Sequence, residues 1–261
     1  MHRGLYRRGR SSVQCLFLLC LADFSAPSSP PLYVFSHVGH EVTLPCNWTS
    51  RMVVSPRPQS PYLQWHTPKG SVFEMKGEAR YEGRGYKGRV QVAPWRFEGG
   101  DCSLLLRELR FSDAALYESF VIVEGSMRLF IGAVRLVVRD HKYRQQLREG
   151  EPLVLKLHTP QAATVIFQGG NATESEVIWQ KNSRDRSQGR LTKGDRILTL
   201  SGVRLEDSGI YKVLDPQGLA VSTVNLKVEG GREAHSRACR ASITSLVMAA
   251  SLLFSHPHVL F

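Results

Sequence analysis

Phe111-Ser112-Asp113-Ala114-Ala115-Leu116-Tyr117 and Leu205-Glu206-Asp207-Ser208-Gly209-Ile210-Tyr211 are one pattern written twice in a chain of 261 residues. In each copy an aspartate precedes a tyrosine by four positions. An alternating leucine strand comes before each copy, Ser103-Leu104-Leu105-Leu106-Arg107-Glu108-Leu109 in the first and Ile197-Leu198-Thr199-Leu200-Ser201-Gly202-Val203 in the second. Further upstream, Leu63-Gln64-Trp65 answers Val177-Ile178-Trp179. Gly39-His40-Glu41-Val42-Thr43-Leu44-Pro45-Cys46 answers Gly150-Glu151-Pro152-Leu153-Val154-Leu155-Lys156-Leu157. Between these landmarks, turn residues punctuate short alternating apolar runs and no long stretch has a helical period, so the chain reads as an all-β protein of two repeated sandwiches.

The ordered combination of strand cysteine, tryptophan and Asp-x-(Gly/Ala)-x-Tyr turn resembles the immunoglobulin superfamily over roughly residues 30–228. The resemblance implies two tandem immunoglobulin-like β-sandwiches. Trp65 and Trp179 would be the buried strand C tryptophans, and Tyr117 and Tyr211 the corner tyrosines. Trp65 and Tyr117 lie 52 positions apart, against 32 for Trp179 and Tyr211, so the first unit resembles the longer variable type. In that type an arginine before strand D pairs with the turn aspartate, which assigns Arg89 and Asp113 to a salt bridge.

The chain departs from the family pattern at its cysteines. Ser119 and Val213 stand where the strand F cysteines would be, and Leu157 replaces the strand B cysteine of the second unit. Cys46 shares strand parity with Val42 and Leu44, and Cys102 with Leu104 and Leu106. Strands B and E are neighbours in that fold, so the expectation is a Cys46–Cys102 bond within one sheet, the alternative being two buried thiols. The second unit must rely on apolar packing alone.

The ends read as processing signals. Arg3, Arg7, Arg8 and Arg10 precede the short apolar run 13–21, as in a leader peptide cut before Asp23 or near Ala26. Residues 243–254 form a greasy tail behind a polar spacer. That arrangement predicts a glycosylphosphatidylinositol signal, with Ser236 as attachment residue and Gly230 and Ala234 as alternatives, or else a weak transmembrane segment. The expected division is a leader at 1–22, a variable-type domain at 23–139, a second domain at 140–229 and the tail signal at 230–261. Loss of both ends removes seven basic residues and one acid, lowering the net charge from +11 to about +5. That argues against nucleic acid as a partner. The basic run 139–148 reads as a solvated linker, or as a patch for acidic glycans or lipid headgroups.

No catalytic or metal motif is present, and no cofactor is expected. Gly83-Arg84-Gly85-Tyr86-Lys87-Gly88 has the spacing of a dinucleotide loop but is followed by Arg89-Val90-Gln91-Val92 and a proline, which is a strand and not a helix start. Asn47-Trp48-Thr49 and Asn171-Ala172-Thr173 are glycosylation sequons, placed at strand B or its exit loop. If Tyr117 and Ser119 face inward, period two turns Phe120, Ile122 and Glu118 outward. With Trp65 inward, Gln64 or Tyr62 and His66 turn outward too, and Leu129 and Ile131 are expected on the same face. That sheet is the one superfamily receptors commonly use for docking. The expected function is adhesion or recognition of a cell-surface protein, homophilic or heterophilic, from the outer membrane leaflet through a lipid anchor. The alternative is a secreted or glycan-binding factor.

Overall fold

A computed structural model describes residues 30–51, 61–123, 127–183 and 189–230. The expected leader at 1–22 and the attachment candidates Ala234 and Ser236 lie outside the described residues, whereas Gly230 is described and exposed. The first unit contains β1 (Leu32–His37), β2 (Val42–Leu44), β3 (Tyr62–Thr67), β4 (Gly70–Lys76), β5 (Ala79–Glu82), β6 (Val90–Gln91), a short helix α1 (Pro94–Glu98), β7 (Leu104–Leu106), β8 (Ala115–Val123) and β9 (Met127–Arg139). The second contains β10 (His141–Arg148), β11 (Leu153–Lys156), β12 (Thr164–Gly169), β13 (Glu176–Gln180), β14 (Leu191–Lys193), β15 (Ile197–Leu200), β16 (Gly209–Leu214) and β17 (Ala220–Glu229).

Each unit is two facing sheets. In the first, a six-stranded sheet of order β1-β9-β8-β3-β4-β5 covers a three-stranded sheet β2-β7-β6. In the second, β10-β17-β16-β12-β13 covers β11-β15-β14. Both open with a strand paired in parallel to the unit's last strand, β1 on β9 and β10 on β17. Alternation does the sorting. On β3, Leu63, Trp65 and Thr67 are buried while Tyr62, Gln64 and His66 stay partly exposed. Trp65, Tyr117 and Val121 pack toward Leu44, Leu104 and Leu106 of the facing sheet. Each such fully buried side chain contributes about 1.5–3 kcal/mol of transfer free energy.

Cys46 and Cys102 are bonded, with Cα atoms 4.9 Å apart. The bond follows β2 and precedes β7, so it ties neighbours within the three-stranded sheet. Cys102 N also donates to Cys46 O at 3.0 Å, and the Trp65 indole N–H donates to Cys102 O at 3.0 Å. Ser119, 1% exposed, satisfies its hydroxyl by donating to Gly132 O at 3.2 Å.

The two corners are alike in backbone and unlike in burial. Tyr117 Oη donates to Asp113 O at 2.8 Å, and Tyr211 Oη donates to Asp207 O at 2.8 Å. Burial pushes both phenols well up, so neither ionises in the physiological range. Arg89 grips the Asp113 carboxylate with two bonds of 2.8 and 2.9 Å. Arg190 does the same for Asp207 at 2.8 and 3.0 Å.

Three sequence expectations differ from the structure. Trp179 is not the central tryptophan of the second unit. It sits on the edge strand β13, while the strand hydrogen-bonded to β16 is β12, whose fully buried Val165 faces Val213. Phe167 on β12 supplies the aromatic bulk, 4.6 Å from the Tyr211 ring. The basic run 139–148 is not a solvated linker either. His141–Arg148 is strand β10, held in register by β17, and His141, Gln145 and Leu147, which share one strand parity, are its buried or partly buried residues. Asn171 accordingly lies in the turn between β12 and β13, and not near strand B.

The units meet tightly. Val38 of the first unit is buried in the apolar core of the second, and its carbonyl lies 2.9 Å from His141 Nε2. Gly39 has φ +82°, and a side chain there would strike the His158 carbonyl. Burial, and then the charges of His141, His40, Lys156 and His37, push the His158 imidazole down to about 4. Burial pushes His141 down as well, despite its bond to Val38 O and the nearby Asp140. The unfolded chain binds these protons near pH 6.5, the folded junction only at lower pH. Stability is therefore full above about pH 6.5 and is lost progressively as pH falls toward 4. Allowing for partial exposure of His158, the expected loss from that residue is about 1 kcal/mol. Urea unfolding at pH 7 and pH 4.5 measures it, and an unchanged difference in His158→Gln would contradict it.

Candidate functional site

Outward side chains of β3, β4, β8 and β9 share one face of the six-stranded sheet. Phe120 is at its centre, opposite Gln64 on β3 and Phe130 on β9. The Phe130 ring lies 5.5 Å from Phe120 at 59°, and His66 meets Phe120 edge-on at 6.1 Å. The Arg128 guanidinium covers the Phe120 ring with Cζ 3.7 Å from its centroid. Ile122 pairs across to Tyr62 and Arg128, and Glu118 to His66. The sheet thus brings together Gln64, His66, Phe120 and Ile122 from two adjacent strands.

Position of Leu129 and Ile131 differs from expectation. Ile131 is 5% exposed and Leu129 packs against the core, while Phe130 is 42% exposed. The register slips between Ser119 and Phe120, so Ser119 pairs with Gly132 but Phe120 with Phe130. This bulge inserts one residue into β9 and exchanges its two faces beyond Ile131. Arg128 and Phe130 enter the site by that slip, which strict alternation counted back from Val134 could not reveal.

The polar rim is ordered. Glu74 on β4 accepts from Tyr62 Oη and, at 2.7 Å, from Ser71 Oγ. Burial would raise its pKa, but these hydrogen bonds and nearby His66 hold the carboxyl below its usual value. Burial, and next the Arg128 charge, lower the His66 pKa, so the ring is neutral at physiological pH. His66 Nε2 is buried and makes no hydrogen bond among the described residues. An aromatic pair with a stacked guanidinium and a carboxylate at its rim can bind a complementary surface.

Arg89 and Asp113 form a buried brace outside this face, and Arg190 with Asp207 is its counterpart in the second unit. Gly189-Arg190-Leu191-Thr192 parallels Gly88-Arg89-Val90-Gln91, which is the signal that could have found it. Asn47 and Asn171 are both exposed. The Asn47 carboxamide oxygen accepts from Thr49 Oγ1 at 2.8 Å.

With facing sheets, two tyrosine corners and a tandem repeat, the chain is built as two tandem immunoglobulin-like β-sandwiches. It is similar to the CD276 antigen homolog of Xenopus laevis, 26% identical over 183 residues, covering 64% of this chain and 59% of that protein. The aligned part is thus about three fifths of that relative's length. No family model matches the sequence. Among solved structures, the human B7-H4 IgV-like domain aligns with 42% of this chain and 94% of its own at 18% identity, TM-score 0.35. CD84 aligns with 42% of this chain and 97% of its own at 21% identity, TM-score 0.32.

Proposed function

We propose that this chain is a cell-surface recognition glycoprotein whose first domain binds a protein partner through the outer face of its six-stranded sheet. The observation that carries this reading is Phe120. It is an aromatic residue on the solvent side of a central strand, flanked by exposed Phe130 and capped by Arg128, beside a buried His66 nitrogen lacking a hydrogen bond. Aromatic and arginine side chains are also the residues that dominate binding energy at protein interfaces. The similarity to the CD276 antigen homolog supports the same role.

The chain is delivered by the leader at 1–22, carries glycans at Asn47 and Asn171, and is tethered to the outer leaflet through Ser236, or through Gly230 or Ala234. Among the described residues no helix is long and apolar enough to cross a membrane. Phosphatidylinositol-specific phospholipase C should release the protein from expressing cells, and retention after treatment would exclude the lipid tether. For the binding face, a multivalent form of the protein is applied to a panel of cells and to a library of surface proteins that includes itself. Phe120→Arg is expected to reduce binding at least tenfold with unfolding unchanged, as befits a central anchor worth more than about 1.4 kcal/mol. Full binding by a correctly folded Phe120→Arg protein would remove this face from consideration.

A further inference from the structure

We propose that His40, His141 and His158 form a site for one divalent transition metal ion of the zinc class, set between the two domains. Their ligand atoms all lie within 4.8 Å of one another. They come from three separate places: the turn after β1, the first residue of β10 and the bend after β11. An ion held by all three would therefore join the domains directly.

The chemistry of the donors selects the ion. All three are imidazoles and none is a carboxylate, which suits zinc-like ions and not calcium or magnesium. His141 is prepared for the role. Its Nε2 faces Val38 O at 2.9 Å and so must carry the proton, leaving Nδ1 as the lone-pair nitrogen, which accepts from the Tyr143 hydroxyl and would exchange that bond for an ion. Metal-bound histidines are commonly oriented by such a bond to a backbone carbonyl. The Tyr143 hydroxyl lies 3.3 Å from His141 Nδ1 and 3.4 Å from His158 Nε2, marking a point near which these two nitrogens both lie.

Backbone strain is an independent pointer. His158 has φ +58°, with Thr159 N turning back to Leu157 O at 2.7 Å. A non-glycine residue in that region costs about 1–3 kcal/mol, and such outliers concentrate at functional sites. The strain lays the His158 ring on His141, centroids 3.6 Å apart at 13°. Tetrahedral zinc needs ligand nitrogens about 3.3 Å apart, so the site must contract by about 1.5 Å and the stacked rings must splay. His40 is exposed on a turn and can supply much of that movement.

The test uses the full chain stripped with EDTA, titrated calorimetrically with zinc chloride and, for comparison, calcium and magnesium chloride. The expected result is one zinc ion per chain with micromolar or tighter affinity, a higher unfolding temperature with zinc, and no response to calcium or magnesium. His40→Gln and His158→Gln should each weaken binding at least tenfold. His40→Gln should leave the unfolding temperature in EDTA unchanged, since that residue is exposed, which separates lost binding from lost folding. Absence of stoichiometric binding would overturn the proposal. So would undiminished affinity in both variants, the result expected if His256 and His258 near the C-terminus take up the ion.

Discussion

Replacing Cys46 and Cys102 together by alanine is expected to destabilise the first domain by about 4 kcal/mol. The residues are 56 apart in sequence, and loop closure of that size removes about 4 kcal/mol of chain entropy from the unfolded state. Position adds to the effect. The carbonyl of Cys102 receives the Trp65 indole N–H, so a shift of β7 after loss of the bond disturbs the residue at the centre of the core. The second domain is a control within the same molecule. Leu157 and Val213 are buried at the two family cysteine positions, and its transition should not move. Urea unfolding of the double variant, with the domains followed separately by hydrogen exchange, measures both. A loss below about 1 kcal/mol would mean that core packing holds the first sandwich without the bond.

The second large effect is expected at Arg89 and Asp113. Their side chains are only 7% and 4% exposed. Besides Asp113, Arg89 donates to Gly85 O at 2.6 Å and Glu108 O at 3.1 Å, and Asp113 accepts from Arg110 N at 2.8 Å. Arg89→Met strands a buried carboxylate and should cost about 3–5 kcal/mol. Asp113→Asn should cost less, because the amide oxygen can still accept one of the bonds. Arg190 is 36% exposed in the matching pair, so water can replace it, and Arg190→Met should cost no more than about 1 kcal/mol. Denaturation midpoints of the three variants decide between burial and mere pairing. Equal losses for Arg89→Met and Arg190→Met would show that solvent access is irrelevant to these braces.

Much of the framework was readable because it follows short-range rules. Asp113 with Tyr117, and Asp207 with Tyr211, mark a turn whose geometry is local, and alternation along β3 and β8 put Trp65 inward and Phe120 outward. What escaped depended on pairing between distant segments. Trp179 has the local dress of a central strand residue, yet which strand lies beside β16 depends on Val165 and Phe167 fitting against Val213 and Tyr211. Phe130 and Arg128 reached the binding face through one bulge, a displacement invisible to any count along β9. Arg190 is legible in the repeated Gly-Arg context of Gly88-Arg89 and Gly189-Arg190. His40, His141 and His158 carry no spacing that marks a cluster, because the turns that gather them belong to different sandwiches.

Strand β9 ends at Arg139 and β10 begins at His141, so a single residue, Asp140, separates the last strand of one sandwich from the first of the next. With Val38 socketed below it, this leaves no slack for swivelling. The pair should behave as a short stiff lever. Tension applied at Phe120 would travel along extended backbone into β10 and be taken up as shear by its parallel partner β17, instead of being dissipated in a coiled tether.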